Sequence, residues 1–480
     1  MITGAIDWFR RNNELHGWAM VVLAGYTYLA QGGRSYLDSS FKWISIYGFE
    51  LKTADIETAV AIGKLPWSFK FIIGLISDNL PLFGYNVKPY MFIMSFLGFV
   101  AVLMMGISSL TSDSTTLTVA YLIVQFYGSS ADCLTDALVI KSGRQDEEDS
   151  TSSLQSVSWF MLGIGGAAFG LLGGFLSTDK NAVDNVSLPG ARLYNFLMSI
   201  FPLGLFFLMF FVKEKKSTIR PGFKVLGQQL IRLLFALFSP PFIVLRLIFW
   251  LILTGASQFS LSVPNTIFNT RTLGITPVIQ SWIDACSYFS LSIGVFVYYR
   301  WLRHTSFRRI YLASQILIGV FGMLDYVIVK RWNVKIGIPD IPFLFFSGAF
   351  TEVIARLNFM PFLVMAGQLC PENMEATFFS ALMSMSNQGS ILGTLVGGQV
   401  QKAYGMTSKN IDNYDQAILL RTVCTISVCM FIFLIPDTNA MNPANAESYQ
   451  PKNQFLQTLL KWSELDRTKV EDDKSKRDIV

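Results

Sequence analysis

The sequence predicts an all-α membrane protein in which twelve transmembrane helices form two pseudo-symmetric six-helix bundles. Three observations support this prediction: the composition, the number of apolar runs and the position of the longest connection. Of the 480 residues, 52% are hydrophobic and only 15% are charged, whereas about a quarter of the residues in a soluble domain are charged. This composition is typical of a protein that crosses a membrane many times.

The number of helices follows from the apolar runs, because a bilayer core is crossed by about 20 apolar residues. We number the runs as spans 1 to 12. They lie near residues 17–34, 55–77, 89–109, 116–140, 153–177, 191–212, 241–266, 275–299, 309–330, 342–366, 376–399 and 415–436.

The longest internal connection separates six spans from six. The predicted units are a cap at 1–16, a six-helix bundle at 17–212, a basic linker at 213–240, a second bundle at 241–436 and a tail at 437–480. Lys and Arg are more frequent in the loops on the side of both termini, so we expect the termini to be cytoplasmic. The glycosylation sequon at Asn185 then falls in an exterior loop.

The two bundles carry the marks of an internal repeat. Spans 5 and 11 end alike, in "FGLLGGFL" and "GTLVGGQV", and placing Gly173 over Gly397 lays Asp132 over Arg356. Two parallel six-span repeats are the arrangement of major-facilitator transporters. Gly-rich helix packing also recurs by chance in membrane proteins, so the repeat depends on the span count, the linker and the overlay together.

Several spans contain ionisable residues, each of which costs about 2.5–3.5 kcal/mol at the bilayer centre. We therefore expect a polar cavity between the bundles. The candidates for substrate binding or proton coupling are Asp132, Asp136, Arg356, Glu352, Lys70 and Asp284. Asp325 lies in a span usually remote from the cavity, and a contact between helices is expected there.

Asp132 and Asp136 lie one turn apart on span 4 and share a face. Two such carboxylates in a low-dielectric place cannot both ionise cheaply, which favours a proton-coupled transporter. If the overlay holds, Arg356 faces Asp132 across the pseudo-twofold axis. The alternative is a structural network in which Glu352 and Arg356 pair with each other from i to i+4.

A gating motif is predicted after span 2. The pattern Gly74-x-x-x-Asp78, followed by a tight loop and Lys88, resembles the major-facilitator motif in which a carboxylate caps a helix N-terminus and holds the cytoplasmic gate closed.

Four stretches carry a resemblance to the folate–biopterin transporter family, a branch of the major facilitators. They are "LPWSFKFIIGLISD", "ADCLTDALV", "SSLQSVSWFMLGIGG" and "LCPENMEATFFSALMSMSNQGS". The resemblance implies uptake of folates or reduced pterins. It places Lys70, Asp78, Asp132, Asp136 and Glu375 at the family's charged positions. Glu375 is predicted to act in gating.

One departure from the family pattern concerns the gate. The family has a run of arginines before Pro-Tyr, whereas "GYNVKPY" keeps only Lys88, which puts the usual charge lock in doubt. The family also contains transporters of other metabolites, including S-adenosylmethionine, so the resemblance leaves the substrate open.

The chemistry of a pterin fits these residues. Its 2-amino and ring N–H edge suits a carboxylate acceptor, and its flat ring suits stacking on an aromatic side chain. The aromatic candidates are Tyr26, Tyr28, Trp67 and Trp159, each of which packing or an interfacial position would also explain. The glutamate tail of folate needs cations, and Arg356 and Lys70 are deep enough.

The predicted function is a secondary transporter that imports folate or pterin by alternating access with proton coupling. We expect a monomer in the plasma membrane, with an organelle membrane as the alternative. Transport of another metabolite and a non-transporting scaffold or receptor remain open. A membrane enzyme is disfavoured because the chain has only two histidines and no Asp-rich metal motif.

The remaining predictions concern partners. The five cysteines have no zinc or disulfide-framework spacing, and neither a metal nor a cofactor is expected. The net charge of +5 comes from basic residues dispersed among short loops, so no nucleic-acid partner is predicted. The chain lacks a Gly-x-x-x-x-Gly-Lys loop, which disfavours ATP-driven pumping.

Overall fold

The computed structural model describes residues 17–143, 150–214, 216–217, 223–238, 242–369 and 375–435. The predicted cap at 1–16 and tail at 437–480 lie outside these residues. Within the described part of the chain the regular structure is helical, and pairing between extended segments is limited to isolated bridges.

The helices of the first half, in chain order, are α1 (Trp18–Trp43), α2 (Thr53–Ser68), α3 (Lys70–Asn79), α4 (Lys88–Gly106), α5 (Ser114–Gly143), α6 (Ser150–Leu176), α7 (Leu188–Met198) and α8 (Ile200–Leu208). A linker helix, α9 (Phe223–Phe238), follows. The second half contains α10 (Ile243–Ser257), α11 (Ser262–Ile267), α12 (Pro277–Val297), α13 (Phe307–Val329), α14 (Trp332–Lys335), α15 (Asp340–Leu369), α16 (Glu375–Ala403) and α17 (Tyr414–Ser427).

These helices supply twelve spans, because α2 and α3, α7 and α8, and α10 and α11 each form one. Eight segments in the described residues are long and apolar enough to cross a membrane by length and hydropathy alone. The other four spans are α1, α5, α12 and α16, which carry polar groups such as Arg34, Gln125 and Asp284. The two six-span halves of the predicted fold are therefore confirmed.

The main difference from the predicted spans lies in the first. The apolar run ends near residue 34, whereas α1 continues to Trp43 and then as a π-helical turn to Gly48. Polar residues such as Arg34 and Asp38 lower the hydropathy of this part. They are accommodated because they bind polar side chains of neighbouring spans inside the protein.

Span 2 is broken near its middle. Pro66 lies inside α2 and cannot donate a backbone hydrogen bond, and Phe69 has a non-helical conformation with φ −114° and ψ 10°. The helix restarts at Lys70. The break allows Lys64, before it, and Lys70, after it, to contact different partners.

Glycines of spans 5 and 11 reveal the relation between the halves. Gly173 packs on Tyr36 of span 1, and its repeat counterpart Gly397 packs on the backbone of Ser260 in span 7. Gly174 packs on α12 in the other half, and Gly398 packs on α2 in the other half. A Cβ atom at any of them would collide with or crowd its neighbour, which explains why small residues recur there. Spans 5 and 11 thus occupy equivalent places around a pseudo-twofold axis.

The bundle has two ends, which we name by the chain termini. The terminal end carries residues 17 and 435 together with the linker helix α9, and the distal end carries the connections 49–52, 177–187, 273–276 and 404–413. At the distal end, Ile46 and Ile56 of the first half pack against Val263 and Ile267 of the second half. All four side chains are buried, so the halves close together at this end.

The linker helix is joined to both halves at the terminal end. Leu233 and Leu237 are buried in the core of the second half. On the other side, Asn79 at the end of α3 donates to Gln229 at 3.0 Å.

Candidate functional site

A buried ion pair lies between spans 2 and 4. The Nζ atom of Lys70 and the Oδ2 atom of Asp132 are 2.8 Å apart, and the two side chains are only 9% and 8% exposed. The break before Lys70 places its side chain at the start of α3, against the middle of α5. Two charges withdrawn from water are stable only when paired, so this contact fixes spans 2 and 4 together.

Asp136 lies one turn further along α5 and has a different partner. The Tyr28 hydroxyl of span 1 donates to Asp136 Oδ1 at 2.7 Å. The neighbouring hydroxyls of Thr27 and Thr135 lie 3.2 Å apart, so spans 1 and 4 share polar contacts here. The two carboxylates of the predicted pair are therefore held by a cation in one case and by a neutral hydroxyl in the other.

A second polar cluster lies on the distal side of this pair. Lys64 binds Asp38 at 3.1 Å, and Asp38 also accepts hydrogen bonds from Gln125 at 2.8 Å and Tyr121 at 3.0 Å. Gln125 in turn accepts a hydrogen bond from Arg34. The cluster joins spans 1, 2 and 4.

Trp67 connects the two groups of charges. Its indole N–H donates to Gln125 at 2.9 Å. The guanidinium of Arg34 lies 4.7 Å from its ring centroid, and the ammonium of Lys70 lies 5.9 Å away. Such cation–π contacts fix the ring between the charged groups.

Arg34, Asp38 and Gln125 were not predicted from the sequence. The available signal in span 1 was the spacing of Arg34, Asp38 and Lys42 at intervals of four residues, which places them on one helix face. It was missed because the first apolar run ends at Arg34, ahead of Asp38 and Lys42.

The other aromatic candidates have separate environments. Tyr26 donates to the carbonyl of Phe201 at 3.1 Å and packs on its ring, which is a contact between spans 1 and 6. Trp159 lies 6.2 Å from the ring of Tyr28, with a tilt of 54°. Tyr28 and Trp67 are thus the two aromatic candidates that contact the charged groups directly.

In the second half, three of the ionisable residues singled out from the sequence bind partners within that half. Arg356 binds Glu352 on the same helix at 3.1 Å. This is the pairing that the structural alternative anticipates for these residues. Asp325 of α13 binds Arg421 of α17 at 2.7 Å, a contact between helices as expected.

Asp284 of α12 has a different setting. It accepts a hydrogen bond from Gln280 at 3.0 Å and is exposed, although it lies in the middle of a span. It shares a helix face with Ser281, which packs against Gly174 of the first half. An exposed carboxylate that faces the opposite half lines the space between the halves.

At the distal end, Glu57 of α2 joins the two halves. Its Oε1 atom accepts hydrogen bonds of 3.1 Å from the hydroxyls of Ser260 and Ser262 and from the backbone N–H of Val263. Gln401 of α16 donates to the same oxygen at 3.4 Å. The residue is 0% exposed. Four donors from the second half therefore converge on one buried carboxylate of the first half.

Further contacts across the halves surround Glu57. Tyr47 and Thr270 share a hydrogen bond of 2.5 Å, and the hydroxyl of Thr53 donates to the carbonyl of Met406 at 3.2 Å. On the distal surface, Lys409 and Glu50 form an exposed ion pair of 2.6 Å.

At the terminal end, a carboxylate does cap the start of span 3, and it belongs to Glu214. Its two oxygens accept hydrogen bonds of 2.9–3.0 Å from the backbone N–H groups of Asn86, Val87 and Lys88. This is the favourable place for a negative charge at a helix N-terminus. The ammonium of Lys88 donates to the carbonyl of Val212 at 2.9 Å.

The predicted gating residues surround this cap. The backbone carbonyl of Asp78 accepts from the Asn86 side chain at 3.0 Å, and Gly74 lies against Cys133 of α5. Glu375 is the first residue of α16; its side chain, and most of the preceding "LCPENM" motif, lie outside the described residues. A gating role for these positions stays a prediction.

The described residues contain no cluster of three or more His, Cys, Asp or Glu side chains able to hold a metal ion.

Two pseudo-symmetric six-helix halves around buried charges define a membrane transporter of the major-facilitator fold. The chain is similar to the crystal structure of a D-xylose–proton symporter, with a TM-score of 0.64 and 11% identity over 88% of this chain and 99% of that one. It is also similar to the nucleoside transporter NupG, with a TM-score of 0.62 and 12% identity over 90% and 99% of the two chains. At these identities the likeness concerns the fold alone.

The chain belongs to the BT1 family, whose family model matches residues 32–454. It is 27% identical to the probable folate-biopterin transporter 4 of Arabidopsis thaliana over 90% of this chain and 98% of that protein. It is 25% identical to folate transporter 1 of Plasmodium falciparum (isolate 3D7), over 87% and 79%. It is 27% identical to the folate-biopterin transporter of Synechocystis sp., over 87% and 82%. The family is one of transporters, so the predicted family and the prediction that the chain is not an enzyme are confirmed.

Proposed function

We propose that this chain imports folate or a related pterin by alternating access of its two halves, coupled to protons. The observation that carries the proposal is the pair of carboxylates on α5, one bound to Lys70 and the other to Tyr28. Relatives named as folate or folate-biopterin transporters support this substrate class.

The carboxylates suit a pterin because its 2-amino group and ring N–H present two parallel donors. Asp136 offers two acceptor oxygens, and its donor among the described residues is the hydroxyl of Tyr28, which a ligand donor can replace. Tyr28 donates to Asp136 and Trp67 lies beside Lys70, and both provide flat surfaces for the ring. The substrate ring therefore lies against α5 between spans 1, 2 and 4.

Charge balance assigns the coupled proton to Asp136. Protonation of Asp132 would leave the buried ammonium of Lys70 without its counter-ion. Breaking a buried ion pair in this way costs about 3–5 kcal/mol. Protonation of Asp136 removes a charge that has no ammonium or guanidinium partner in the described residues. Asp136 can therefore gain and lose a proton during the transport cycle without breaking an ion pair.

The excess of Lys and Arg in the loops on the terminal side supports cytoplasmic termini, and with them a distal end that faces the exterior. Import then requires the contacts around Glu57 to open and re-form in each cycle. We further propose a plasma-membrane location and a monomer, since a single chain contains both halves of the transport unit.

Uptake measurements test the proposal directly. Cells that express the chain are supplied with labelled folate, biopterin or S-adenosylmethionine at pH 5.5 and pH 7.5, with cells lacking it as the control. Saturable folate or pterin uptake that rises at pH 5.5 is expected. Uptake of S-adenosylmethionine alone would replace the substrate, and no uptake of any compound by protein detected at the cell surface would contradict transport of this class. Surface biotinylation and antibody access to each terminus test location and orientation in the same cells.

A further inference from the structure

Lys42, on the last turn of α1, is a cation that the proposed binding of the ring does not use. Within the described residues its ammonium has neither an ion pair nor a hydrogen bond, whereas Lys64, Lys70 and Arg356 each bind a carboxylate. It is partly buried, and it lies one turn beyond Asp38 on α1, the carboxylate that Lys64 binds from span 2. Two ammonium groups that repel each other in a partly buried place are stabilised when an anion binds between them.

The carboxylates near Lys42 already have donors of their own. Asp38 is bound to Lys64, Gln125 and Tyr121. Glu57 is held by the hydroxyls and the backbone N–H of the second half, and Asp284 accepts from Gln280. Each of these carboxylates lies beyond ion-pair distance of Lys42. The cationic site is therefore not filled by the protein itself.

The position of Lys64, beside Lys42, is open to a ligand. The side chain of Lys64 is 38% exposed although it lies within a span and binds Asp38 of the neighbouring span. The exposed Asp284 faces the same space from the other half. Lys42 and Lys64 thus line the distal wall of the space between the halves.

The spacing to the carboxylates of α5 agrees with the shape of a folate. Lys64 precedes Lys70 by six residues on span 2, about 9 Å along a helix axis at 1.5 Å per residue. Lys70 binds Asp132, and Asp136 lies four residues, about 6 Å, further towards the terminal end. Folate is an extended molecule in which a p-aminobenzoyl group separates the pterin ring from the glutamate, so its two ends can reach both places. A ring at Asp136 would place the glutamate carboxylates towards Lys42 and Lys64.

We infer that Lys42 and Lys64 form a carboxylate-binding subsite that receives the glutamate tail of folate. The inference depends on the proposed function and makes it more specific. It replaces Lys70 and Arg356 as the cations for the tail. Within the described residues Lys42 binds no carboxylate. Lys64 does bind Asp38, but its side chain is 38% exposed, against 9% for Lys70 and 24% for Arg356. The subsite distinguishes substrates with a carboxylate tail from pterins without one.

The test compares folate with biopterin, which lacks carboxylates, in cells that express the full chain. Lys42→Gln is the main variant, because loss of this ammonium leaves no ion-pair or hydrogen-bond partner unsatisfied in the described residues. Lys42→Arg keeps the charge, and Lys180→Gln removes an exposed lysine from the distal connection 177–187 as a matched control. Surface biotinylation normalises each uptake rate to the amount of protein.

Lys42→Gln is expected to raise the KM for folate by roughly tenfold, the loss of about one charge-assisted hydrogen bond. The KM for biopterin should stay within about twofold, and Lys42→Arg should retain folate uptake. An unchanged folate KM, or equal losses of folate and biopterin uptake, would overturn the subsite. Uptake of biopterin but not folate by the unaltered chain would overturn the subsite and leave pterin transport standing. Uptake of neither would overturn both proposals.

Discussion

Asp132 and Asp136 lie one turn apart on α5, and their different partners give them different properties. Asp132 is neutralised by Lys70, whereas Asp136 accepts a hydrogen bond from Tyr28. The sequence alone gives no reason to distinguish the two carboxylates. The break in span 2 separates them, because it delivers an ammonium to one of the two carboxylates.

The ion pair makes a prediction about stability. Asp132→Asn and Lys70→Met should each lower the free energy of unfolding by about 3–5 kcal/mol, because each leaves an uncompensated buried charge or polar group. The double variant should lose less than the sum, since neither charge then remains. Thermal unfolding of the purified chain in detergent measures all three. Additive losses in the double variant would argue that the two groups do not interact.

Asp136 makes a prediction about pH dependence. Asp136→Asn should make substrate uptake nearly independent of pH between 5.5 and 7.5, because the amide cannot gain or lose the coupled proton. Tyr28→Phe is the companion variant, which removes the hydroxyl that binds Asp136. Its uptake should still depend on pH, with the midpoint of the pH profile shifted. Uptake rates at several pH values test both. A wild-type pH profile in Asp136→Asn would exclude this residue as the proton carrier.

At the scale of elements, the connection between spans 2 and 3 is held by the end of span 6. Glu214 binds three consecutive backbone N–H groups at the start of α4, and Ser217 donates to the carbonyl of Gly84 at 2.8 Å. The N-terminus of α4 begins with Lys88 and Pro89, and its cap is supplied by a distant carboxylate instead of a neighbouring Ser or Asp. These contacts restrain the loop that follows Gly74 and Asp78 of the gating motif.

Loss of the cap should therefore destabilise this end of the bundle. Glu214→Ala should lower the free energy of unfolding by about 1–2 kcal/mol, the usual value of a helix cap. Lys213→Ala, at the exposed neighbouring position, is the matched control and should have little effect. Unfolding temperatures of the purified variants provide the comparison. If both variants unfold like the unaltered chain, the three hydrogen bonds contribute nothing to stability.

At the scale of the whole molecule, the two halves meet through one buried carboxylate and an apolar cluster at the distal end. Glu57 accepts four hydrogen bonds from spans 7 and 11, and Ile56 beside it packs against Val263. By contrast, the Glu50–Lys409 pair is largely exposed. The charge and hydrogen bond of Lys409 lower the pKa of Glu50 below its usual value. The contribution of this ion pair to closure is therefore present above the usual pKa of Glu and is lost only in acid. That contribution is small, because exposed ion pairs stabilise a protein little.

Glu57→Ala should open the distal end, because it leaves several buried donors without an acceptor, at about 1–3 kcal/mol each. In a chain whose native cysteines are replaced, Thr53→Cys reports the opening, since residue 53 is 0% exposed in the closed arrangement. Labelling by a membrane-impermeant maleimide should become about fivefold faster or more in Glu57→Ala. Glu50→Gln is the control and should label at the original rate at neutral pH. Equal labelling in all three chains would show that Glu57 does not hold this end closed.

The twelve spans, the two halves and the family can all be predicted from the amino-acid sequence alone. Each depends on properties that act over a whole segment: apolar length, the repeat of Gly173 at Gly397, and motifs such as "ADCLTDALV". A segment in lipid must satisfy its own backbone hydrogen bonds, so an apolar segment of this length forms a helix whichever segments surround it. The carboxylates of α5 were also found, because ionisable groups in a span are costly and therefore conspicuous.

Which charged side chains contact each other depends on the packing of the helices. Lys70 could be paired with Asp132, and Asp325 with Arg421, only once the break in span 2 and the packing of the helices were known. Of the two arrangements that the sequence left open for Arg356, the structure shows the pair with Glu352. The cap by Glu214 and the closure by Glu57 join residues far apart in the chain, and nothing in the local sequence of either marks its partner. Arg34 and Asp38 were missed for a related reason: a hydropathy pattern counts a polar residue as exposed, whereas a partner on another helix allows it to be buried.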